Sequence, residues 1–162
     1  MRRLSTAVIA GLLLVGLIAA PAAADRDFSH GNFPHDITWI NPHFDGPKAD
    51  VVTGGWVGIW GAWMTATSEQ MDGFLTVATF EIFCDGAARN VSHWSPLPDE
   101  AIEIFEALVE PMPAGRTTEC STVITFTDDH YDGWDLIPEG TVLEDTVTIT
   151  AVPRGQFKKN NP

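Results

Sequence analysis

The sequence predicts a mainly β protein, a single antiparallel β-sandwich with one short helix. Three observations carry that expectation. Residues 74–86 and 119–127 are rich in aromatic and β-branched side chains, which suit a pleated, half-buried surface better than a helix. Asp85-Gly86 closes the first run and is a hairpin turn signal. Each run holds one of the chain's two cysteines, Cys84 and Cys120, which pair most simply as one disulfide between core strands. A small α+β fold, its helix packed on one sheet, is the alternative.

The first residues read as a signal peptide. Arg2 and Arg3 precede an apolar stretch at 7–20 that is short for a bilayer span, and Ala22-Ala23-Ala24 supplies a small-residue cleavage pattern. Residues 1–24 are therefore expected to be removed, leaving a secreted, periplasmic or extracellular protein, a compartment in which a disulfide persists. Residues 25–50 form a loop-rich arm with Pro34, Pro42 and Pro47, in which 37–40 is a candidate edge strand. The disulfide-linked domain spans 51–153, and a polar tail occupies 154–162.

Within that domain, residues 51–66 interleave Trp56, Trp60 and Trp63 with four glycines. In an extended strand Trp56, Trp60, Ala62 and Met64 share one face while Val57, Ile59 and Trp63 share the other, so both faces are apolar, as in a strand buried on both sides. Met71-Asp72-Gly73 connects this run to the next and suggests an antiparallel hairpin. Residues 90–94 read as a further short strand, and Asn90-Val91-Ser92 matches a glycosylation sequon. The one helix is expected at 99–110, capped by Asp99 and stopped by Pro111 and Pro113. There Ala101, Ile102, Ile104, Phe105, Leu108 and Val109 make an apolar stripe, with Glu100, Glu103, Glu106 and Glu110 on the wet side. Cys120, Thr122, Ile124 and Phe126 share one face of the next strand. Val147, Ile149 and Ala151 alternate with threonines in the last, at 141–152. Short strands, turn signals and a link between separated strands give a layout that resembles immunoglobulin-like extracellular domains.

With 22 acidic against 9 basic residues and a formal net charge of −13, the chain repels phosphate backbones and anionic lipid. Nucleic acid and membrane partners are accordingly not expected. Partners are expected to be a protein or a cell surface, with carbohydrate as a further option.

Residues 128–139 resemble an EF-hand calcium loop: Asp128 stands first, Asp132 fifth, Gly133 sixth and Glu139 twelfth. His130 at the third position, Asp135 at the eighth and the lack of flanking helices depart from that pattern. Asp128, His130, Asp132 and Glu139 are the candidate metal ligands and Ca2+ the candidate ion, although no cofactor is expected of the fold itself. Trp94 and Trp134, both near turn signals, are the candidate ligand-binding residues, because exposed indoles stack on sugar rings. His30, His35, His43 and Asp36 have no compact ligand spacing, and His93 beside Ser92 lacks a Gly-x-Ser-x-Gly elbow. No catalytic residue is assigned. The function expected is a non-catalytic exported module acting through protein or surface contacts. The alternatives are a carbohydrate-binding module and a small metal-dependent or hydrolytic enzyme.

Overall fold

A computed structural model describes residues 37–96 and 101–157. Residues 1–24, expected as a signal peptide, His30, His35, Asp36, Asp99 and the last five residues lie outside the described residues. The described chain opens with β1 (Ile37–Ile40), the one-turn helix α1 (Pro42–Asp45), β2 (Lys48–Val52) and β3 (Trp56–Met64). Next come α2 (Ser68–Val77), β4 (Ala78–Cys84), β5 (Ala87–Ala88), β6 (Ser92–Trp94) and β7 (Ile102–Val109). β8 (Thr117–Phe126), the hairpin β9 (His130–Tyr131) and β10 (Leu136–Ile137), and β11 (Val142–Val152) complete it.

Two sheets pack face to face, in the orders β1-β3-β7-β6 and β2-β11-β8-β4-β5. The β-sandwich read from the sequence is therefore the fold. Period-two alternation points Val57 and Ile59 of β3 and Ala107 and Val109 of β7 at Ile82, Val147 and Ile149 of the facing sheet. Cys84 and Cys120 oppose each other in register on neighbouring strands, both fully buried, and form the disulfide. A second cluster, Met71, Phe74, Phe105, Ile124 and Phe126, fills the other end of the sandwich. Asp85 (φ 52°) and Gly86 (φ 73°) both adopt left-handed backbone, as a two-residue hairpin turn requires. Asp85 anchors that turn by accepting from Thr118 Oγ1 at 2.7 Å and the Glu119 amide at 3.0 Å. These bonds, the Thr118 hydroxyl foremost, hold its carboxyl below the usual carboxylate range.

Inner strand pairs are antiparallel, whereas β1 pairs with β3, and β2 with β11, in parallel. The cause is an arch. The chain runs along one sheet edge to Ile40, turns through α1 and joins the edge of the other sheet at Lys48. Asn41 caps the arch, its Oδ1 accepting from the amides of His43 and Phe44, while Pro42 takes the first helical position. Residues 37–50, expected as loop-rich arm with only 37–40 as a strand, thus contribute strands to both sheets.

Four expectations are corrected. The helix expected at 99–110 is β7, a central strand paired on both sides. Its residues satisfy both periods, and an element apolar on two faces finds more burial between two strands than on a surface. Glu103 and Glu106, expected on a wet face, are buried. The strand expected from Phe74 begins only at Ala78, because Thr67 caps α2 through a 3.3 Å bond from the Gln70 amide, and Met71 and Phe74 fall on its inner face. No hairpin at Met71-Asp72-Gly73 joins β3 to β4, since α2 carries the chain from one sheet to the other. Finally, the run at 51–66 is divided by a turn at Gly54 (φ 76°) between β2 and β3, which lie in different sheets.

Candidate functional site

The arch leaves part of one side of the sandwich without a strand among the described residues. β1 covers β3 only along residues 56–59, and β2 covers β11 only along 148–152. Past those points residues 60–64 of β3 and 142–147 of β11 have no strand on that side among the described residues. Between them lies a groove of about 610 Å3, within the roughly 300–1,000 Å3 usual for binding clefts.

Its floor is apolar. Gly61 faces inward without a side chain, and the Phe80 ring occupies the space: a Cβ at Gly61 would lie 2.5 Å from Phe80 Cζ. Phe80 stacks on Phe105 with ring centroids 4.3 Å apart, so the floor is rigidly backed. Trp63 and Ile124 extend it. Phe44 (74 % exposed), Val142 (56 %) and Leu143 (40 %) stand at the mouth. The rim is acidic: Glu144 and Asp145 line it with no lysine or arginine, and His43 Nδ1 lies 3.2 Å from Asp145 Oδ2.

The candidate metal ligands and the two candidate ligand-binding indoles fall elsewhere. Trp134 is exposed in the β9–β10 hairpin, whereas Trp94 is half-buried on β6 of the four-stranded sheet, so the two indoles belong to different elements. His130 turns inward, stacks on Phe126 at 6.1 Å and packs beside Phe74. Burial lowers its pKa, partly offset by the charge of Asp132. Asp132 Oδ1 accepts from the amides of Trp134 and Asp135, and Asp129 Oδ1 from that of Glu139. These bonds stabilise the loop itself. Among the described residues no three His, Cys, Asp or Glu side chains are grouped to hold a metal ion. Gly133 (φ 104°), the glycine of the calcium-loop resemblance, packs where a Cβ would strike that of Ala66.

His93 pairs through Nδ1 with Glu103 Oε1 at 2.5 Å, and Ser95 donates to Oε2 at 2.5 Å. Both satisfy one buried carboxylate. The hydroxyl thus binds the carboxylate rather than His93, which is not the order of a nucleophilic triad.

Together the fold and the groove define a disulfide-linked β-sandwich that has no strand beside residues 60–64 and 142–147 among the described residues. No family model matches the chain, and no curated protein matches it. Among solved structures it is similar to one described as the solution structure of Amebosin, with a TM-score of 0.38 and 10 % identity over 72 % of this chain and 97 % of that one. No helix among the described residues is long and apolar enough to cross a membrane.

Proposed function

We propose that the chain is an exported, non-catalytic module that acts by contact with another protein at the open side of its sandwich. The observation that carries this reading is the groove between residues 60–64 and 142–147, whose outer edges meet no strand among the described residues, with Phe44, Val142 and Leu143 exposed at its mouth. Apolar side chains grouped around a concavity favour burial against a partner. The disulfide suits an oxidising compartment, and the leader-like residues 1–24 supply a route to one.

A photo-crosslinking side chain placed at Leu143, with one at Glu81 on the outer face of β4 as control, tests the proposal in cells exporting the full chain. Protein adducts are expected from position 143 and not from 81. Equal adducts at both positions, or none at 143, would overturn it.

A further inference from the structure

Resting on that reading, we infer that the groove takes an extended, basic segment of a partner polypeptide as an added strand along residues 142–147 of β11.

The backbone geometry comes first. The Thr148 amide donates to Pro47 O, and Val152 O accepts from Thr53, so even-numbered residues of β11 aim their backbone groups toward β2. A strand's period of two puts the N–H and C=O of Val142, Glu144 and Thr146 on the same side. Past Thr148 that side has no strand among the described residues. A row of such groups is a template for strand addition.

The side chains choose the occupant. A strand laid there would point alternate residues inward beside Leu143, onto the floor of Phe80 and Ile124, so these are apolar. The residues between point outward beside Glu144, so these are basic. A second copy of this chain would bring its own acidic excess to a rim that already holds Glu144 and Asp145, and like charges repel. A basic partner gains there instead.

The test uses the oxidised chain from Asp25 and an eight-residue synthetic peptide alternating valine and lysine. Two controls accompany it, one with glutamate for lysine and one N-methylated at alternate amides. Hydrogen exchange at Val142, Glu144 and Thr146 is expected to slow at least tenfold with the peptide, and each control should bind at least tenfold more weakly. Thr146→Pro removes one edge N–H at a position where proline is tolerated. It should abolish both the protection and the adducts from position 143, while Thr146→Val keeps them. Equal binding of the N-methylated peptide would overturn strand addition, as would adducts that survive Thr146→Pro, and the contact reading would stand. Amides already protected in the free protein, or a self-associated chain in sedimentation, would overturn it because the edge is then filled. A peptide that binds nowhere would overturn it too, and the adducts at 143 would then decide the contact reading separately.

Discussion

His93 and Glu103 form a pair in which the histidine is half in water and the carboxylate, 5 % exposed, is not. This asymmetry sets the cost of breaking it. His93→Ala leaves a buried carboxylate with Ser95 as its remaining donor and should cost about 1–3 kcal/mol. Glu103→Leu leaves two groups that water can reach and should cost less, although it removes the same contact. Urea midpoints of the two variants check the order; equal losses would mean that the carboxylate is already hydrated.

His130 gives stability a pH dependence near neutrality. Its folded pKa lies below the ordinary histidine value of 6.5, so the ring is neutral in both folded and unfolded chains well above that pH. As pH falls below 6.5 the unfolded chain takes up the proton first, and stability is lost through the folded pKa. The charge of Asp132 opposes this shift. Thermal midpoints between pH 7.5 and pH 5 should fall more for the natural chain than for His130→Phe. Asp85 acts in the same direction but in a more acidic window, below the ordinary carboxylate value of 3.8.

The disulfide closes a chain segment with a sequence separation of 36. Removing both cysteines as Cys84→Ala with Cys120→Ala should cost about 3–4 kcal/mol on the chain-entropy account. Because β4 and β8 also pair through their backbones, the variant should remain folded. Denaturant unfolding with and without reductant measures the loss, and the double variant should be insensitive to reductant.

Gly133→Ala meets both a left-handed backbone and the Ala66 methyl. It should cost about 2–4 kcal/mol. Ala66→Gly in the same chain should return the part due to the methyl and leave the parts due to φ and to the Gln70 side chain, a separation that thermal unfolding resolves.

Calcium should leave the thermal midpoint unchanged up to millimolar concentration, since several carboxylates of 128–139 serve their own loop. A ligand at a hundred times its dissociation constant would add about 2.7 kcal/mol. A rise of that kind, lost in Asp128→Ala and Glu139→Ala, would make the loop an ion site and favour carbohydrate binding at Trp134.

Much of the architecture was legible because it rests on local chemistry. Asp85-Gly86 can turn only one way, Cys120 to Phe126 alternate, and Val147, Ile149 and Ala151 alternate with threonines whatever surrounds them. Residues 102–109 were not legible in this sense, because Ile102, Ile104, Phe105, Leu108 and Val109 satisfy a helix stripe and a two-faced strand equally. Only the presence of β3 on one side and β6 on the other decides between them. Thr67 with Gln70 three residues on has the spacing of a capping box, the local signal for α2.

The groove had no local signature at all. Phe44, Gly61, Phe80 and Leu143 come from four separate segments, and nothing in their spacing brings them together. By its composition and turns the sequence determined a cysteine-bridged β protein, acidic enough to repel other anions. The tertiary structure decided that β1 and β2 stop short on opposite sheets, because the chain spends Asn41 to Pro47 crossing between them. That crossing leaves the open side.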